Sequence, residues 1–196
     1  MKNNKYKDDF FMRKVLILLA EGFEEIEALG TADILRRMGA EVVLAAMKKE
    51  TVSGSHNITV TADALFDDVD KNGFDAVVLP GGLPGSLNLY NDDRVIDILH
   101  EFAAENKVTA AICAAPMVLD KAGLLENRKF TMYPAADLYK YLRDDKRPQS
   151  DMFVADGKVI TGKGPGATAY FAGAVAGALG IADETVKNVL DGMFVK

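Results

Sequence analysis

The sequence predicts an α/β fold, with a mostly parallel central sheet covered by helices on both faces. Three observations carry that prediction. Short β-branched or leucine-rich runs alternate with segments of helical apolar period. Short glycine-containing turns join them, which suits parallel strands and right-handed crossovers. The 196 residues, 49% apolar and 27% charged, fit one compact domain whose core needs no disulfide or metal.

Residues 1–12 read as a flexible N-terminal extension, polar and charged until Phe10, and 13–196 as a single domain. Lys14 to Leu19 reads as a buried strand. Glu24 to Met38 reads as a helix, with Ile26, Leu29, Ile34, Leu35 and Met38 tracing an apolar stripe. Its first-turn Glu24 and Glu25 and last-turn Arg36 and Arg37 suit the helix dipole, and Gly39 caps it. Glu41 to Ala46 is a strand, and Asn57 to Thr61 a strand of a small hairpin. Ala76 to Leu79 is a strand ending in Pro80-Gly81-Gly82. Asp92 to Glu105 is a helix, and Val108 to Ile112 a strand running straight into a helix from Ala115 to Ala122. Lys129 to Met132 is a short strand, and Val159 to Thr161 a strand before a Gly-Pro-Gly turn. Ala167 to Leu179 and Asp183 to Phe194 close the chain as helices.

Composition excludes several functions. Lysine and arginine total 23 and aspartate and glutamate 29, a net charge of −6. That disfavours nucleic acid and anionic membrane surfaces as partners, because both need a concentrated positive face. No run approaches the roughly 20 apolar residues of a membrane span. Val15 to Ala20 is too short for a signal-peptide core, so a cytoplasmic location is expected. The one cysteine, Cys113, permits no intramolecular disulfide, and with only His56 and His100 no His/Cys zinc site is expected.

Ligands of such sheets bind beyond the carboxyl ends of the strands. There, Cys113 lies between a buried strand and the small residues Ala114 and Ala115, ahead of Pro116. This is the logic of a nucleophile elbow. A helix N-terminus would stabilise the thiolate and lower its pKa. The alternative is a buried small hydrophobe. Glu27 lies deeper in the first helix than Glu24 and Glu25, and a carboxyl projecting under the strand ends would keep its proton and shuttle it. The alternative is a solvated helix face. The amides of Gly82 and Ala114 are candidate oxyanion donors, with Gly81 beside them in the turn. Gly162-Lys163-Gly164-Pro165-Gly166-Ala167 matches a dinucleotide fingerprint by letters. No strand follows to complete the βαβ unit, so Pro165 and its glycines read as a wall of the same cleft. Neither histidine sits at a strand tip, so a Cys–His pair is not evident.

Four segments together resemble the ThiJ/PfpI superfamily, and within it the branch of protein deglycases and bacterial YajL-type proteins. They are Ala20-Glu21-Gly22-Phe23-Glu24-Glu25-Ile26-Glu27, Val78-Leu79-Pro80-Gly81-Gly82, Ala110-Ala111-Ile112-Cys113-Ala114-Ala115-Pro116 and Gly164-Pro165-Gly166-Ala167-Thr168. They stand in family order at family-like spacing, and the resemblance runs from about Lys14 to Asn188. It implies a flavodoxin-like three-layer sandwich, a homodimer and no cofactor. It also implies that Cys113 is the nucleophilic or oxidation-sensitive cysteine, Glu27 its protonated partner, and the Gly82 and Ala114 amides the anion pocket. Two departures matter. Tyr133 stands where several relatives place a histidine, and Ala114 where the peptidase-like branch has one. Peptidase activity is therefore disfavoured, and Tyr133 is left to hydrogen-bond a substrate carbonyl or water. His56 falls where relatives often carry a basic residue near the dimer contact, which implies anion binding across the interface.

The expected function is a cofactor-independent glyoxalase or deglycase acting on methylglyoxal-type carbonyls through Cys113. The alternatives are an oxidation-sensing stress protein or chaperone with little turnover, and a small-molecule binding module without chemistry.

Overall fold

The computed structural model describes residues 12–144 and 146–196, so all of the expected extension except Met12 lies outside the described residues. The strands are β1 (Lys14–Leu19), β2 (Glu41–Ala46), β3 (Thr51–Ser53), β4 (Thr59–Thr61), β5 (Ala64–Leu65), β6 (Ala76–Leu79), β7 (Val108–Ile112), β8 (Phe153–Asp156) and β9 (Val159–Gly162). Seven of them form one sheet in the order β5-β2-β1-β6-β7-β9-β8. Its pairs are parallel except β8 against β9, and β3 and β4 form a separate hairpin.

Strand side chains alternate between faces, and β1 shows the consequence. Val15, Ile17 and Leu19 enter one core, Leu16 and Leu18 the other. Helices α1 (Thr31–Arg37), α6 (Thr168–Ala178) and α7 (Asp183–Gly192) cover the first face. Helices α2 (Gly85–Tyr90), α3 (Asp93–Ala104) and α4 (Pro116–Lys121) cover the second. A short α5 (Ala136–Tyr139) lies in the excursion between β7 and β8. The result is the flavodoxin-like three-layer sandwich. None of the described helices is long and apolar enough to cross a membrane.

The order reverses at β1, which has β2 on one side and β6 on the other. Ligand sites form beyond the carboxyl ends of strands at such a point. There the turn after β1 carries Glu27, the turn after β6 carries Gly81 and Gly82, and the end of β7 carries Cys113.

Several elements differ from expectation. The helix expected over Glu24 to Met38 begins as a π-helical turn, Ile26–Gly30, before α1. A π turn holds one more residue than an α turn, so the inward face is reset. Ile26 is 59% exposed, outside the expected stripe, while Glu27 is 1% exposed. The expected strand Lys129 to Met132 reduces to one bridge, Thr131 to Gln149. The expected hairpin strand Asn57 to Thr61 shortens to β4, because Asn57 adopts φ +63° in the turn. Pattern reading missed β5 and α5, which are too short for a period, as well as α2 and the edge strand β8.

Candidate functional site

Cys113 is held in the left-handed region at φ +64°. A non-glycine residue there is strained and persists only where its surroundings enforce it. Its neighbours do so from both sides. Its N–H donates to Gly162 O at 2.9 Å, and its carbonyl accepts from Tyr133 N at 2.8 Å. Ala114 and Ala115 are buried behind it, and Pro116 begins α4 as expected.

Glu27 reaches the same point from the π turn. Its Oε2 accepts from Gly81 N at 2.8 Å, and its carboxyl lies beside the Cys113 thiol, close enough for each to shift the other. Oε1 is buried with no hydrogen-bond partner among the described residues. Burial is the main reason its pKa rises from 4.5 to about 7, and the nearby Glu24 charge adds to the rise. Burial also pushes the Cys113 thiol up, assisted by the charge and hydrogen bond of Glu27. The amides of Gly82 and Ala114 act on the same sulfur and favour the thiolate. The expected lowering of the thiol by the helix end is thus outweighed. Two groups this tightly coupled titrate as a pair.

The turn after β6 admits only glycine. A Cβ on Gly81 would lie 2.4 Å from Glu27 Oε2 and 2.6 Å from Cys113 Cβ. Gly82, at φ +88°, would place one 2.5 Å from Glu24 N. Backbone therefore approaches the Glu27 and Cys113 side chains more closely than any residue with a Cβ would allow.

Tyr133 is 47% exposed at the mouth, with its ring 3.3 Å from the Cβ position of Gly164. Tyr133, Met152, Lys163 and Pro165 help line an open cleft of about 270 Å³. His56 stands apart from the sulfur, at the tip of the β3–β4 hairpin. Its Nδ1 lies 2.8 Å from Glu25 Oε2 and 4.0 Å from Glu24 Oε1. The Glu25 hydrogen bond and charge raise the His56 pKa. His100 bonds Ala122 O at 2.9 Å. Among the described residues no histidine is hydrogen-bonded to Cys113.

Glu24 and Glu25 correct the sequence reading. They are not solvated dipole partners; both are buried, at 6% and 5% exposure. Glu25 accepts from His56 N at 2.7 Å, Ile58 N at 3.4 Å and Ser55 Oγ at 3.3 Å, and so clamps the hairpin. Burial would raise it, but the His56 side-chain and backbone bonds prevail and hold it below the ordinary carboxylate range. The available signal was three glutamates within four positions, more than a helix dipole requires. Among the described residues only Glu24, Glu25 and His56 show metal-ligand spacing, with ligand atoms within 4.8 Å of one another. Both Glu25 oxygens are already engaged by the hairpin.

Comparison with known proteins follows the same residues. A family model described as the DJ-1/PfpI family matches residues 13–178. Protein dj-1beta of Drosophila melanogaster is 37% identical over 189 residues, covering 93% of this chain and 97% of that protein. A deglycase of Pyrococcus abyssi is 38% identical over 122 residues, covering 62% and 72%. The chain spans about two fifths of two Arabidopsis thaliana DJ-1 homologues, which are 37% and 36% identical and of which it covers 37% and 41%. Among solved structures, a cysteine-to-alanine mutant of a DJ-1 superfamily protein from Salmonella typhimurium superimposes with a TM-score of 0.85 at 36% identity, covering 94% and 100%. Oxidized Toxoplasma gondii DJ-1 gives 0.84 at 33%, covering 93% and 98%.

Proposed function

The chain belongs to the DJ-1/PfpI family, and from that premise we propose that it is a deglycase-branch enzyme that converts methylglyoxal-type carbonyls without a cofactor. The observation that carries this reading is the half-buried Cys113 paired with the buried Glu27, whose carboxyl is raised to about 7. The similarity to curated deglycases supports the branch.

The Cys113 sulfur adds to the aldehyde carbon, forming a C–S bond, as its proton passes to the Glu27 carboxylate, which hands it on to the new alkoxide. The Gly82 and Ala114 amides stabilise that oxygen while it is charged. As a carboxylate, Glu27 then removes the proton from the former aldehyde carbon and returns it to the neighbouring carbon. The hydroxyl proton on the aldehyde carbon passes to the neighbouring carbonyl oxygen, so that the former aldehyde carbon becomes a thioester and the ketone an alcohol. Water cleaves the C–S bond, releasing a 2-hydroxy acid and the thiol. Tyr133 faces the substrate carbonyl from the mouth, and Gly81 and Pro165 wall the cleft. The same reading carries a homodimer, an anion-binding His56 at its contact, a cytoplasmic location and residues 13–196 as one domain.

Lactate formation from methylglyoxal by the parent and by Cys113→Ser tests it. Loss of activity to background is expected, and equal rates overturn the mechanism.

A second reading has its own support. The amides that face the sulfur would also hold an oxygen bound to it, and one similar structure is an oxidized protein. Two equivalents of peroxide would carry Cys113 through sulfenate to sulfinate, releasing two waters, with Glu27 donating a hydrogen bond. Intact mass after mild peroxide separates the readings. Two oxygens confined to Cys113, with no lactate formed, favour a sensor.

A further inference from the structure

We propose that Glu24 is the positioning residue of the Cys113–Glu27 pair, through a closed ring of hydrogen bonds that passes through Gly81. Glu24 N–H donates to Gly81 O at 2.9 Å. Gly81 N–H donates to Glu27 Oε2 at 2.8 Å. Glu27 N–H donates to Glu24 Oε2 at 2.8 Å. Each member is tied to the other two, so the Glu27 carboxyl cannot turn unless a bond breaks. The proposal rests on Cys113 and Glu27 being the reacting pair.

The choice of glutamate is informative. Satisfying one N–H at a helix start needs only a neutral serine or asparagine oxygen. A buried carboxylate beside a second carboxyl is costly for that task alone. It adds a negative charge facing Glu27, and a like charge at a shared site favours the protonated partner. The groups facing Glu27 are the Cys113 thiol from the end of β7, the Gly81 amide from the turn after β6 and Glu24 from its own turn. Behind Glu24 stand Glu25 and His56, whose Nδ1 lies 4.0 Å from Glu24 Oε1. Glu24 therefore has two duties, aiming the carboxyl and holding its proton, and they separate by substitution.

Glu24→Gln keeps an acceptor for Glu27 N–H and removes the charge. Glu24→Ala removes both. The readout is the pH dependence of iodoacetamide alkylation at Cys113, with circular dichroism confirming the fold. For Glu24→Gln the midpoint is expected to fall by about half a pH unit or more, roughly a threefold rate change on the sloping limb. For Glu24→Ala the limb is expected to broaden and the rate at its plateau to change as well. Folded variants whose profiles superimpose on the parent overturn the proposal. If neither variant folds, carboxyl carbon-13 titration of the unsubstituted protein decides. A Glu27 carboxyl titrating at an ordinary 4.3 overturns it, and one near 7 supports it. Alkylation needs no turnover, so a protein that forms no lactate but shows the midpoint shift keeps this inference and loses the glyoxalase reading.

Discussion

Replacing Glu27 by glutamine has a stability consequence whose size follows from the site. The carboxyl is raised from 4.5 to about 7, chiefly by burial, so the folded protein binds that proton more tightly than the unfolded chain. Below the unfolded value both states are protonated and nothing is lost. Between 4.5 and 7 the unfolded chain gives up the proton first, so stability falls by about 1.4 kcal/mol per pH unit. Over the whole interval the loss comes to about 3 kcal/mol, and it stays constant above the folded value. Glutamine does not titrate, and its carbonyl can still accept from Gly81 N. Glu27→Gln should therefore equal or slightly trail the parent at pH 4 and exceed it by about 3 kcal/mol at pH 8. Urea unfolding of both proteins at fixed concentration between pH 4 and 8 measures the difference, in which titrating groups that do not interact with Glu27 cancel. A difference that does not vary with pH, or that favours the parent as pH rises, would refute the argument that Glu27 keeps its proton through desolvation.

Three further outcomes follow from the geometry and charges. Gly81→Ala places a methyl 2.4 Å from Glu27 Oε2 and 2.6 Å from Cys113 Cβ. We expect a loss of about 1–3 kcal/mol on thermal unfolding and an altered Cys113 alkylation rate, whereas an unchanged rate would mean that the turn yields without disturbing the pair. Glu25→Ala strands the amides of His56 and Ile58, and hydrogen exchange should show the β3–β4 hairpin opening more easily by about 1–3 kcal/mol. In the parent the hairpin should also loosen at both pH extremes. It loosens as pH falls through the lowered Glu25 value, and as it rises through the raised His56 value.

Much of the fold was legible because it is local. The pattern located β1, β2, β6 and β7 to the residue, since strands buried on both faces read as unbroken apolar runs. The elbow at Cys113 was equally visible, because a strand followed by small residues and a proline leaves the chain few other conformations. Cys113, Glu27, Gly81, Gly82 and Ala114 are brought together as the sequence implied. His56 joins Glu25 and Glu24 instead of the sulfur. Glu24 and Glu25 were assigned only to the helix dipole, because the groups that close over them lie elsewhere in the chain.

From its own chain order, this protein determined where its strands run and which end of the sheet carries reactive groups, since period and turn chemistry act over a few residues. Only the tertiary structure decided what the two neighbouring glutamates do, one aiming Glu27 and the other clamping a hairpin. The Glu25 and Glu27 side chains accept from donors 31 and 54 residues away, and a π turn rotates Glu27 inward. Desolvation, which holds the Glu27 proton, exists only once those distant segments close around it.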